Sequence, residues 1–140
     1  MNTRYILLAD SAHLSVDGKL SVIGIFENIN ARKFPCTHPE ISLVVQFEAT
    51  RKEFGNHTLE VQLTDDRDRL VTKHGPIQFA IGNKTLKNSF ARSGIIIRII
   101  NITMKKPGEY RFALFVDNRY IESVRFEAVQ LQVIRPEAKA

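Results

Sequence analysis

A hydrophobic period of two, repeated along most of the chain, confines it to β structure. Ile41, Leu43, Val45 and Phe47 alternate with Ser42, Val44, Gln46 and Glu48, and Leu59, Val61 and Leu63 alternate with Thr58, Glu60, Gln62 and Thr64. Tyr110, Phe112, Leu114 and Val116 repeat the pattern after a turn at Lys106, Pro107 and Gly108. Successive side chains of a strand point to opposite faces, so this spacing buries one face and leaves the other to water. The residues that obey it are the β-branched and aromatic types that suit a pleated, half-buried surface. The nine residues Leu43, Val45, Phe47, Leu59, Val61, Leu63, Tyr110, Phe112 and Leu114 are therefore expected to face inward.

Shorter or less regular runs at 5–9, 20–26 and 70–73 add further strands, and turn chemistry falls between them. Asp17 and Gly18 suit a tight hairpin, 65–68 links two runs, and Asp117 with Asn118 closes a third hairpin, since Asn tolerates the left-handed region. Many short strands with such punctuation predict an antiparallel all-β sandwich of roughly seven to nine strands. The parity of apolar residues changes near Ala128, which predicts a bulge there. In 95–102 both parities are apolar, which predicts a strand covered on two faces, one of them by a second subunit. Segment 83–93 fits no strand; Leu86 and Phe90 stand four apart, so a long crossover loop with a short helix is expected.

The length of 140 residues suits one domain, expected over 1–134 with a polar tail at 135–140. With 44% hydrophobic and 25% charged residues, disordered, collagen-like and coiled-coil classes drop out. A single cysteine excludes an internal disulfide framework and favours a reducing, cytoplasmic setting. The apolar run after Arg4 ends at Asp10, too short for a signal-peptide core, and 95–102 is interrupted by Arg98 and Asn101, too short to span a bilayer. The net charge of +5 comes from 20 Lys and Arg against 15 Asp and Glu, and most of the excess lies in 51–100. That asymmetry admits an anionic partner without requiring one.

Catalytic and metal constellations are weak in this sequence. Cys36 and His38 lie on one side of an extended segment and could be joined by His13, His57 or His74, but no paired ligand spacing supports a zinc site, and Pro35 and Pro39 suggest a rigid loop. Neither Cys36 nor Ser11 beside His13 sits in a glycine-rich elbow that would activate a nucleophile. Asp65, Asp66 and Asp68 are interrupted by Arg67 and lack the closing glutamate of a calcium loop. No phosphate-cradling glycine motif is present, so no nucleotide or other cofactor is expected.

The order YILLAD at 5–10, DGK at 17–19, SVIGIF at 21–26, Phe34 and Pro35, His38 and Pro39, then LVVQFE at 43–48 resembles an uncharacterised family of small bacterial β-sandwich proteins, a domain of unknown function. The turn and strand at 107–117 look like the closing portion of immunoglobulin-like and related sandwiches. The resemblance implies a bacterial, cytoplasmic, all-β module and carries over no catalytic or binding residue. The chain is thus expected to be a non-enzymatic binding or assembly module, with a protein partner or a second copy of itself docking at Ile96, Arg98, Ile100 and Ile102. Two alternatives stay open. One is polyanion or nucleic-acid binding through Lys84, Lys87, Arg92 and Arg98 in 84–98, and the other is a small hydrolase or metal-dependent enzyme.

Overall fold

Alternation becomes nine strands in two facing sheets. A computed structural model of the chain describes residues 1–132, and the expected domain end at 134 and tail at 135–140 lie outside the described residues. The strands are β1 (Asn2–Leu14), β2 (Leu20–Ile25), β3 (Asn28–Ala31), β4 (Cys36–Thr50), β5 (Gly55–Thr64), β6 (Leu70–Ile81), β7 (Phe90–Met104), β8 (Gly108–Val116) and β9 (Arg119–Gln130). A four-stranded sheet runs β2-β1-β4-β7, and a five-stranded sheet runs β3-β9-β8-β5-β6. Pairing is antiparallel except between β3 and β9, which are parallel.

The nine residues expected inside are all buried, none more than 3% exposed. The core lies between the sheets, where Phe47, Phe112 and Phe126 are its largest fully buried side chains. Phe126 stacks on Tyr110 at 5.5 Å and meets Phe112 at 5.8 Å, within the range where aromatic pairs add stability beyond area burial. The Tyr110 hydroxyl donates to the Lys106 carbonyl at 2.6 Å, fastening the corner between β7 and β8.

The three expected turns form as the chemistry requires. Gly18 has φ +82° in the β1–β2 hairpin, and Asp117 and Asn118 have φ +50° and +66° between β8 and β9. Between β5 and β6, Asp65 Oδ1 accepts from the amides of Arg67 and Arg69, both at 2.9 Å.

Several expectations need correction. The bulge in β9 is not near Ala128: Leu114 pairs with Glu122 and Phe115 with Tyr120, so Ile121 is the extra residue. Phe126 and Ala128 then keep one inward parity, both 1% exposed. No helix forms in 83–93. Phe90 already belongs to β7, and the remaining crossover, 82–89, holds one turn in which the Leu86 amide donates to the Asn83 carbonyl at 3.0 Å. The Arg51 guanidinium ties this crossover down by donating to the carbonyls of Lys84, Leu86 and Asn88. Satisfied by a distant side chain, these carbonyls need no helical ladder.

Chain path also leaves two sheet edges half paired. β2 joins β1 only along Ala9 to Leu14, and residues 26–27 then cross to the other sheet, where β3 joins β9 only along Glu127 to Gln130. The crossing is held by the Phe26 amide donating to the Leu8 carbonyl and the Glu127 amide donating to the Glu27 carbonyl.

Candidate interaction face

The register of the four-stranded sheet decides which side chains share its outer face. Leu7 pairs with Val44 and Ala9 with Ser42; Val44 pairs with Ile96, Ser42 with Arg98 and Glu40 with Ile100. On the other flank Ile25 pairs with Ala9 and Ile23 with Ser11. Both parities of 95–102 are apolar because Ile97 and Ile99 serve the core while Ile96 and Ile100 face outward. Val44, Ser42 and Ala9 at the centre are sealed by their neighbours, whereas Ile23, Ile25 and Ile100 at the margins are about 60% exposed. Glu40 on β4 and Arg98 on the edge strand β7, paired at 2.5 Å, lie beside Ile100.

Of the four residues expected at an interface, Ile96, Arg98 and Ile100 share this face and Ile102 does not. The chain passes through a left-handed residue at Asn101, φ +55°, so Ile102 and Met104 turn inward, at 2% and 0% exposure. Leu86 in the crossover and Phe90 at the start of β7 are about half exposed themselves. Ile23 and Ile25 were missing from the expected set, although their shared parity in SVIGIF was the signal that could have found them.

The four cations expected to bind an anion are divided. Lys84 and Lys87 lie in the exposed crossover, but Arg92 pairs with Glu48 at 2.9 Å and Arg98 with Glu40. Two of the four charges are thereby matched by carboxylates, which weakens the field that a polyanion would meet.

Cys36 and His38 do face one side, but within β4 and not in a loop, and the His38 ring lies 6.2 Å from that of Phe26. Among the described residues, no three His, Cys, Asp or Glu side chains assemble around a point that could hold a metal ion. The sequence did not reveal a different pair, His57 with Asp117, beside a cavity of about 400 Å³ that Gln78 and Phe79 help to line. His57 Nδ1 lies 2.5 Å from Asp117 Oδ2, and Nε2 lies 2.5 Å from the Glu53 carbonyl. Both partners only accept, so both ring nitrogens carry protons. Burial works to lower the His57 pKa, yet the hydrogen bonds to Asp117 and Glu53 outweigh it and hold the imidazolium above its ordinary value. Asp117 is held below the ordinary carboxylate value by the His57 bond and by the Thr58 amide at 3.0 Å. With no free lone pair, this imidazole clasps the β8–β9 turn to the start of β5 and is not a poised base.

Two packed sheets with an apolar outer face on one of them define a β-sandwich module. The chain belongs to the Family of unknown function (DUF6941), whose model matches residues 4–129. No curated protein matches it. Among solved structures, it is similar to part of the Pseudomonas fluorescens alkylpurine DNA glycosylase AlkC bound to DNA containing an abasic site analog, at 12% identity and a TM-score of 0.50. The match covers 91% of this chain and 30% of that one, so the likeness concerns the fold alone. No helix among the described residues is long and apolar enough to cross a membrane.

Proposed function

We propose that the chain is a non-enzymatic assembly module that pairs with a second copy of itself through the outer face of the four-stranded sheet. The observation that carries this reading is the distribution of exposed isoleucines: Ile100 on one margin, beside the Glu40–Arg98 pair, and Ile23 and Ile25 on the other. A two-fold rotation about the centre exchanges the margins, setting Ile100 of each copy on Ile23 and Ile25 of the other. The face is then self-complementary in its apolar margins.

The arrangement supports an immunoglobulin-like reading of the sandwich. The two sheets are joined where residues 26–27 cross from β2 to β3, β3 pairs in parallel with the last strand β9, and Tyr110 bonds back to Lys106 at the start of β8, in the manner of a tyrosine corner. The single cysteine and the family resemblance support a cytoplasmic bacterial setting.

Light scattering tests the assembly. The wild-type protein should show a dimer mass at micromolar concentration, and Ile100→Lys, with an unchanged far-UV spectrum, should show a monomer. A wild-type monomer at high protein concentration refutes the reading.

A further inference from the structure

We infer that the cleft between the unpaired halves of β1 and β9 binds a short extended peptide by strand addition, favouring sequences with alternate apolar residues and at least one Lys or Arg. The site adjoins the outer face discussed above at Leu7 and Ile25, but the argument for it does not depend on that face.

The backbone makes the first part of the argument. Because the Glu127 amide bonds to the Glu27 carbonyl, the N–H and C=O of Glu127 point away from β8. Direction alternates along a strand, so those of Arg125 and Ser123 point the same way, beyond the reach of β3, which pairs only from Glu127 onward. The Ser123 amide is held by the carboxylate of its own neighbour Glu122 at 3.2 Å, a local stand-in for a missing strand. Across the cleft the same rule applies to β1: the Leu8 carbonyl accepts from Phe26, so the Ile6 backbone groups also point to the unpaired side. Bare edges of this kind are templates for an added strand.

Space and charge make the second part. The cleft measures about 690 Å³ and is floored by Ile6, Phe26, Val124 and Phe126. It ends where residues 25–28 cross between the sheets and where the Thr3 hydroxyl donates to Glu122 at 3.4 Å. The interval suits a segment of about four residues at a rise of roughly 3.3 Å each. Alternate side chains of that segment meet the apolar floor. The others meet Glu27 and Glu127, neither of which has an ion-pair partner among the described residues. Glu109 also lines the cleft, and its Oε1 is buried without a hydrogen-bond donor, with Arg111 and Arg125 nitrogens no nearer than 3.5 and 3.8 Å. A lysine or arginine on the added strand supplies the missing donor and matches the surplus of carboxylates, which is why the occupant is a cationic peptide.

A random peptide library displayed on phage and selected against the full-length protein tests the site. Recovered peptides should alternate apolar residues around Lys or Arg. Synthetic versions should bind Arg125→Ala nearly as well as wild type. They should bind Arg125→Pro about tenfold more weakly, because proline removes an amide that faces the cleft and not β8. Should Arg125→Pro fail to fold, peptides N-methylated at alternate amides replace it, and the same loss is expected. Amide exchange at Ser123, Arg125 and Ile6 should slow on binding. A selection that yields no binder, binders insensitive to these changes, binders lost in Ile100→Lys, or a fluorescent fatty acid that occupies the cleft while peptides do not would each overturn the proposal.

Discussion

His57 and Asp117 form an ion pair whose worth depends on pH in two directions. The folded pKa of His57 is raised, so its contribution is complete below the unfolded value of 6.5 and is lost as pH rises through the folded value. The folded pKa of Asp117 is lowered, so its contribution is complete above the unfolded value of 3.8 and is lost as pH falls through the folded value. The clasp is therefore strongest between those two unfolded values. Thermal melts should show the wild type losing stability from mildly acidic to mildly alkaline pH, with a clearly smaller loss in Asp117→Asn. Asparagine keeps the left-handed turn and removes only the charge, so an identical pH profile in that variant would refute the clasp. The Glu53 carboxylate beside it, held below its ordinary value first by the hydrogen bond from the Met1 ammonium, belongs to the same neighbourhood. Tyr110, its pKa raised by burial, offers a counterpart that stays protonated over this range. Tyr110→Phe leaves the ring packed and the Lys106 carbonyl without its donor, at a cost of about 1 kcal/mol in urea denaturation. Neither interaction was legible in the sequence, because Asp117 already had a sufficient local role as a turn residue and its partner lies sixty positions away.

At the level of elements, what could be read early was whatever depends on neighbours in sequence. β4, β5 and β8 declare themselves because alternate residues are buried over most of their length, and the hairpin turns declare themselves because Gly18, Asp117 and Asn118 must take positive φ. β3 has only four residues and one buried side chain, so its pairing with β9, not its pattern, makes it a strand. The crossover went the other way: spacing suggested a helix, and Arg51 supplied a tertiary alternative. The β9 bulge was misplaced because Val129 and Leu131 are apolar without being in the core; Leu131 is 45% exposed. β6 carries a constraint that patterning hides. At Gly75, φ +112°, a Cβ would sit 2.6 Å from the Leu59 carbonyl oxygen, where β5 and β6 shift register. Backbone cannot swing aside as a side chain can, so Gly75→Ala should lower stability by about 2 kcal/mol, read as a lower denaturation midpoint. Phe112→Ala, in a strand already saturated with partners, should cost about 3–5 kcal/mol by the same measurement.

The whole molecule is held by pairings between distant parts of the chain. β4 joins β7 with β5 and β6 intervening, and β3 joins β9 across nearly all of the sequence between them. Loop-closure entropy must be met before such contacts form, so stopped-flow refolding should take roughly milliseconds to seconds; microsecond folding would contradict the topology. The crossover at 82–89 has a further consequence. It divides the chain into a six-strand part and a three-strand part, yet each sheet takes strands from both, since β7 completes the first sheet and β8 and β9 occupy the interior of the second. Neither part can close a core by itself. A tryptic nick at Lys84 or Lys87 should therefore leave two fragments that elute together under native conditions, separate in denaturant and recombine on its removal. The seam that is easiest to cut is also one that does not divide the protein into independent pieces, and it offers a natural place to split the molecule into complementing halves.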